Sequence, residues 1–225
     1  MKILGIDTST NSCSVAVLNQ NDTLSEINID NNLTHSKYLM DAIDSALRFS
    51  GLNFNELDGF AITVGPGSFT GLRIGLSTIK GLSVASAKPI VGVSSLDSMA
   101  YPLPFIPTLI VPLIDARKGE VYYSKYKFIN GVIHKEMNDM LDSPEKAIAG
   151  IKESCLFIGN GSDLYKSLIL NKFGKFAFFL PDFYNKIRAS VVARIGLEKI
   201  KNSGFDDSNL IIPKYIRKSD VELKK

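Results

Sequence analysis

Two carboxylates stand where this chain can do chemistry. Asp7 closes the apolar run from Lys2 and is followed by Thr8-Ser9-Thr10-Asn11-Ser12; Asp115 closes the apolar run from Thr108 in the same way. A carboxylate at a strand end, next to a turn rich in hydroxyl and amide donors, can flank a phosphate and its metal ion. Each run is followed later by a Gly-x-Gly-Ser turn, Gly65-Pro66-Gly67-Ser68 and Gly159-Asn160-Gly161-Ser162. Amides at such a turn, ahead of a helix, can donate to an anion. The candidate phosphate or nucleotide site is therefore Asp7, Thr8, Ser9, Gly65, Gly67, Ser68, Asp115 and Arg117, the last being the cation beside Asp115. A simpler reading stands next to it, in which both aspartates hydrogen-bond their own turns. Gly65 to Gly71 is neither a P-loop, since no Lys-Ser/Thr follows in register, nor GxGxxG, since Gly71 falls one position late.

Other chemistries find little footing. His35 and His134 lie in unrelated segments, and no CxxC, HxxH or HxxxH occurs, so no metal site of ordinary nitrogen and sulfur ligands is expected. Neither histidine sits by a nucleophile, and no catalytic residue is assigned. Cys13 and Cys155 read as small buried hydrophobes in a reducing compartment.

The elements that must position these residues follow from pattern. Lys2–Asp7, Cys13–Leu18 and Thr23–Ile29 read as three antiparallel strands. Thr34 is the expected N-cap of a helix from His35 to about Ser50, closed by Gly51. Phe60–Val64 is a buried strand, followed by the glycine turn, a helix to about Ala87, and a strand at Ile90–Val93. Three prolines between Tyr101 and Pro107 mark a connector. The pattern then restarts with strands at Thr108–Asp115, Glu120–Phe128, Val132–Glu136 and Cys155–Ile158, and a helix capped by Ser143 with Pro144 at its first position. Ile-Asp and Gly-x-Gly-Ser each occur twice in the same order, which indicates a diverged duplication of a β-β-β-α-β-α lobe. The division expected is residues 1–104 and 105–225, with the helix at Ala189–Asn202 and the basic tail returning toward the lobe interface.

The helix from Gly71 to Ala87 is unusual. Its only charges are Arg73 and Lys80, and it carries Gly75 and Gly81 internally, each costing about 1 kcal/mol relative to alanine. Gly71, Gly75 and Thr78 share one face, where another helix can approach closely. One side should pack on its own sheet and the other against the helix starting at Thr34, the two helices together exposing a joint apolar face to a partner protein.

Composition sets the class. The chain has 225 residues, 45% hydrophobic and 22% charged, enough for a core without disulfides or metal. The longest apolar runs stop far short of the ~20 residues of a membrane helix, and Asp7 interrupts any secretory leader; a cytoplasmic location is expected, with no membrane partner. Residues 213–225 hold five basic and two acidic residues, so residues 1–212 balance at 21 of each sign. The body is not a general nucleic-acid binder.

Four stretches carry a resemblance: MKILGIDTSTNSCS at Met1–Ser14, GPGSFTGLRIG at Gly65–Gly75, IDARKGEVY at Ile114–Tyr122 and PKYIRK at Pro213–Lys218. Together they resemble the TsaB (YeaZ) family. The resemblance implies an α/β, two-lobed actin/sugar-kinase-like (ASKHA) fold and a role in making threonylcarbamoyladenosine beside the anticodon of ANN-decoding tRNAs. It implies a non-catalytic subunit that pairs with the catalytic paralogue TsaD, joined by the ATPase TsaE, forms a homodimer when alone, and meets tRNA through the complex only. ATP or ADP with Mg²⁺ is then left to the complex, and no cofactor is assigned to this chain. Pairing through the two N-lobe helices implies an interface of Leu39, Ile43, Leu72, Arg73, Gly75, Leu76 and Ile79, with Tyr215 and Arg217 of the tail. The catalytic paralogue carries an HxxxH motif after the following strand; the corresponding positions here are Ser95 and Met99, which cannot replace imidazole ligands. Two other functions compete: a small ATPase or phosphotransferase of the same superfamily using Asp7, Asp115 and Mg²⁺, and a direct tRNA binder resting on the tail alone.

Overall fold

The computed structural model describes residues 1–31, 34–103, 106–206 and 211–217. In chain order the elements are β1 (Lys2–Asp7), β2 (Cys13–Asn19), β3 (Asp22–Ile29), α1 (Leu39–Ser50), β4 (Gly59–Gly65), α2 (Phe69–Ser86), β5 (Ile90–Ser94) and α3 (Ser95–Ala100). They continue with β6 (Leu109–Asp115), β7 (Val121–Tyr123), β8 (Tyr126–Ile129), β9 (Val132–Lys135), β10 (Met140–Asp142) and α4 (Pro144–Ala147). Then come β11 (Cys155–Ile158), α5 (Asn160–Leu164), α6 (Lys166–Phe173), β12 (Ala177–Phe179) and α7 (Ala189–Ser203). The chain divides into two units, residues 1–98 with 187–213, and residues 99–186 with 214–225.

The first unit is a five-stranded sheet in the order β3-β2-β1-β4-β5. β3, β2 and β1 pair antiparallel, whereas β1, β4 and β5 are parallel. The central strands are buried on both faces, which is why they read as unbroken apolar runs. On one face Leu4, Ile6, Val15, Val17, Phe60 and Ile62 form a core with Leu39, Ile43 and Leu47 of α1 and Leu76 and Ile79 of α2.

The opposite face belongs to α7. Gly5 is in register with Ala16 and Ala61, and Ala61 with Val91, so a strip of small residues crosses the sheet. A Cβ on Gly5 would lie 2.3 Å from the Ala189 carbonyl oxygen and 2.8 Å from Ala193 Cβ, and one on Gly196 would lie 2.6 Å from Ala61 Cβ. The helix backbone therefore rests almost directly on the strands. Its first turn is held from the sheet: the amide of Ala189 donates to Ser14 Oγ (2.8 Å), and Ser190 donates to Glu26 Oε1 through its amide (3.0 Å) and its hydroxyl (2.7 Å). These bonds satisfy amides that a helix N-terminus leaves without partners.

The second unit repeats the plan. Its main path runs β10-β7-β6-β11-β12, with β10, β7 and β6 antiparallel and β6, β11 and β12 parallel. The β8–β9 hairpin is an addition that joins β6 through Ile110 and Tyr126. The duplication expected from the repeated signatures is thus a repeated strand order.

Several boundaries differ from expectation. The division falls at 98/99 rather than at the proline connector, of which Pro104 and Phe105 lie outside the described residues. The helix at 189–203, expected in the second lobe and returning toward the lobe interface, packs on the sheet of the first unit because the small-residue strip is there. The helix expected from His35 starts at Leu39, after a 3-10 turn at His35–Lys37 for which the Thr34 side chain makes no capping bond. Buried His35 meets the Thr10 carbonyl through Nε2 at 2.9 Å, which fixes that turn. The expected strand 120–128 splits at Ser124-Lys125 into β7 and β8, and the third strand position is filled by β10 rather than by Val132–Glu136. Gly51 (αL, φ 69°) and Ser143, whose Oγ accepts from Lys146 N, close their helices as expected. Both cysteines are buried and free.

Candidate functional site

Asp7 is fully buried, and its carboxylate is engaged by its own surroundings. Oδ1 accepts from the Ser9 amide (3.1 Å), the Ser9 hydroxyl (2.6 Å) and the Thr63 hydroxyl on β4 (2.7 Å). Oδ2 is buried and has no hydrogen-bond partner among the described residues. Burial pushes the carboxyl above its usual range, opposed by the Ser9 and Thr63 hydrogen bonds and by the nearby His35. Cys13, buried close to this carboxyl, is pushed up to about 12 and stays a thiol.

The glycine turn closes onto the Asp7 turn. A Cβ on Gly67 would lie 2.2 Å from the Ser9 carbonyl oxygen, and the Ser68 amide donates to that same oxygen (2.7 Å). Ser68 Oγ caps α2 by accepting from Gly71 N (3.3 Å). Gly65, with φ at 112°, ends β4 beside Ser94. The small face of α2 also points here: a Cβ on Gly71 would lie 2.0 Å from the Thr8 carbonyl oxygen, one on Gly75 2.3 Å from Thr8 Oγ1, and Thr8 Oγ1 donates to Gly71 O (2.8 Å). Gly71 and Gly75 therefore accommodate the strand-end turn of their own unit, not a second helix.

Asp115 and Arg117 belong to the second unit. Asp115 Oδ1 accepts from the Arg117 amide (2.8 Å), while its own amide donates to Asn160 Oδ1 (3.1 Å). Arg117, Lys118 and Gly119 all take positive φ (60°, 55° and 75°). Arg217 holds this turn. Its guanidinium donates to the Ala116 carbonyl (2.6 Å) and the Arg117 carbonyl (3.3 Å) and pairs with Glu120. The four motifs quoted above thus touch in two pairs, the first with the second through Thr8, Ser9, Ser68 and Gly71 and the third with the fourth through Arg217, which spacing along the chain does not reveal. Lys218 and the rest of the tail lie outside the described residues.

The expected interface is largely internal. Leu39, Ile43, Leu72, Gly75, Leu76 and Ile79 are buried in the first unit; of the seven helix positions only Arg73 is exposed, with its guanidinium 3.8 Å from the centre of the Phe69 ring. A charge placed at Leu76, which the expected interface includes, would therefore strike the core rather than report on pairing. Tyr215 is exposed, whereas Arg217 is occupied by the 116–120 turn. The outward stripe of α2 is instead Thr70, Arg73, Ser77, Gly81 and Val84, the last 81% exposed. On α1, Met40 and Phe49 face solvent. Ser95 is buried at the start of α3 with its hydroxyl unpartnered, and Met99 is buried with its sulfur against Gly159.

The chain matches the family described as TsaD, tRNA N6-adenosine threonylcarbamoyltransferase, over residues 29–225. It is also 31% identical to the tRNA threonylcarbamoyladenosine biosynthesis protein TsaB of Bacillus subtilis (strain 168), an alignment that covers 100% of this chain and 97% of that one. The chain belongs to the TsaB (YeaZ) family. The transferase match leaves out β1, β2 and the Asp7–Ser9 turn, whereas the TsaB match spans them. YeaZ from Pseudomonas aeruginosa shares the fold at a TM-score of 0.81 and 23% identity, over 95% of this chain and 99% of that one. The activator of the 2-hydroxyisocaproyl-CoA dehydratase from Clostridium difficile, solved with bound ADPNP, matches at a TM-score of 0.51 and 10% identity, over 90% of this chain and 97% of that one. The fold is the actin/sugar-kinase-like α/β architecture. As a TsaB-family member the chain is a tRNA threonylcarbamoyladenosine biosynthesis protein. Among the described residues no helix is long and apolar enough to cross a membrane, and no three His, Cys, Asp or Glu side chains gather as a metal site.

Proposed function

We propose that this TsaB-family chain is a non-catalytic subunit. It pairs with a TsaD-like catalytic subunit, joined by a TsaE-like ATPase, in threonylcarbamoylation of the adenosine beside the anticodon of ANN-decoding tRNAs. The observation that carries the reading is the closed state of the Asp7 turn. Three donors occupy Oδ1, Oδ2 is buried away from solvent, and the Ser68 amide that an anion would use is bonded to Ser9 O. A phosphotransferase needs that carboxylate and those amides turned to a ligand, so the alternative reading is not favoured. Ser95 and Met99, at the positions of the paralogue's histidines, support the same conclusion.

The pairing surface is the outward stripe of α2 with the exposed side chains of α1. On α2 it is built mostly of small residues with Arg73 as the charge, on α1 it adds Met40 and Phe49 beside the charged Asp41, Asp44 and Arg48, and the same surface serves a homodimer when the chain is alone. The test is co-expression with the TsaD-like subunit of the same organism, followed by size-exclusion chromatography with light scattering. Val84→Asp and Arg73→Glu are expected to abolish co-elution while the thermal melt of the isolated chain moves by no more than a few degrees, since both side chains are exposed. Co-elution unchanged in both variants would overturn the assignment of the surface. Failure of the parent chain to pair, even with ATP and the TsaE-like protein present, would overturn the partner role.

A further inference from the structure

Among the described residues of the second unit, β12 is the outer strand of its sheet, with β11 on one side only. Proteins usually blunt such an edge with charge, proline or a cover. Here the segment from Lys172 to Tyr184 exposes Phe176 (53%), Phe178 (48%), Phe183 and Tyr184. Phe179 alternates inward, onto Phe157. Lysines are interleaved with the rings: Lys166 Nζ lies 5.0 Å from the centre of Phe179, Lys172 Nζ 5.8 Å from Phe173 and Lys175 Nζ 5.6 Å from Phe176. Beside them opens a shallow hollow of about 380 Å³ whose lining includes Lys152, Ser154, Lys172, Phe173 and Phe176. Its one acidic lining residue, Glu153, is paired with Lys127 at 3.0 Å. Lys172 Nζ donates to the Ile148 carbonyl (2.8 Å), a bond that leaves its charge in place.

We propose that this face binds unpaired RNA, with a base stacked on Phe176 over the hollow, Phe178 as a further platform, and Lys152, Lys172 and Lys175 meeting the flanking phosphates. An aromatic face accepts any base, and lysines beside it supply the charge that a backbone requires. A peptide strand added to β12 would satisfy the edge amides but leave the lysines without counter-charge, so RNA is the better fit. Because residues 1–212 are neutral in sum, the attraction is local to this patch rather than a property of the whole surface. The inference rests on the chain's place among tRNA-modifying proteins. It departs from the expectation that tRNA is met only through the complex.

The test is fluorescence anisotropy of the full chain with a 5′-labelled 12-nucleotide oligouridylate at 50 and 200 mM KCl. Micromolar binding that weakens with salt is expected, with a slope of roughly 0.7 per phosphate contact. Phe176→Ala should weaken binding about tenfold. Lys152→Gln with Lys175→Gln should flatten the salt slope, while the melting curves of these exposed-site variants stay with the parent. Absence of binding, variants within twofold of the parent, or equal competition by free UMP would each overturn the proposal. So would variants that keep RNA affinity but lose co-elution with the TsaD-like subunit, which would make the face a protein contact. If RNA binding behaves as expected but the parent chain does not pair with that subunit, the partner role fails and this inference stands.

Discussion

Asp7 and Glu26 are carboxyl groups taken out of water in the same unit, and their surroundings drive them in opposite directions. At Asp7 burial dominates over the hydrogen bonds from Ser9 and Thr63, so the folded state favours the proton. At Glu26 burial is outweighed by Arg188 and Ser190, whose bonds lower its pKa and pin the start of α7. The pH dependences must then have opposite signs. Stability from protonated Asp7 is present below the unfolded value of about 3.9 and is lost as pH rises through the folded value. Stability from ionised Glu26 is present above about 4.3 and is lost as pH falls through the lower folded value. In urea titrations from pH 3 to 8, Asp7→Asn should gain on the parent as pH rises. Glu26→Gln should lose about 1–2 kcal/mol at pH 7 and converge with the parent in acid. A pH-independent difference in either variant would refute the corresponding environment. The simpler reading of the strand-end carboxylates, that each bonds its own turn, was legible and is what Ser9 and Arg117 do, whereas the bond from Thr63 was not, because it reaches Asp7 from β4, 56 residues away in sequence.

At the level of elements, α2 is the informative case. Its internal glycines look equivalent in sequence and are not equivalent in the fold. Gly71 and Gly75 accept the Thr8 turn at distances no side chain allows, whereas a Cβ on exposed Gly81 would meet nothing within 4 Å. Gly81→Ala should therefore stabilise the protein by about 1 kcal/mol through helix propensity alone. Gly71→Ala should cost about 3 kcal/mol through overpacking against backbone. Denaturant midpoints decide this directly; equal shifts at the two positions would refute it. The buried stripe of α2 runs through Leu72, Leu76, Ile79 and Ser83, while the exposed one carries Thr70, Ser77, Gly81 and Val84. Small and apolar residues occur on both, so the pattern does not say which stripe faces the sheet. That is why Leu72, Leu76 and Ile79 read as surface from sequence and lie in the core.

For the whole molecule, the consequence lies in α7. The first sheet has one face covered by α1 and α2 and the other by a helix that arrives only after residues 99–186 of the second unit. A chain ended at residue 186 would expose the Gly5–Ala16–Ala61–Val91 strip and lose Ile211 from the core. It is expected to show no cooperative thermal transition for the first unit in circular dichroism, and adding a peptide of residues 187–213 should restore one. A truncated chain that melts cooperatively would mean that α7 is dispensable. Arg217 has the same character on a smaller scale, since a tail residue holds a turn 97 residues earlier through Glu120.

The sequence by itself determined the five strands of the first sheet, the caps at Gly51 and Ser143, the burial of both cysteines, the repeated order of Ile-Asp and Gly-x-Gly-Ser, and the family those motifs indicate. Each of these depends on a residue's own conformational preference or on apolar runs a few residues long. Only the tertiary structure decided which face of α2 is buried, which unit owns α7, which strand fills the third place in the second sheet, and whether Asp7 is open to a ligand. Those outcomes depend on what covers a surface, and the covering residues, Thr8 under α2 or Ala189 over Gly5, are distant in the chain and carry no local mark of where they will come to rest.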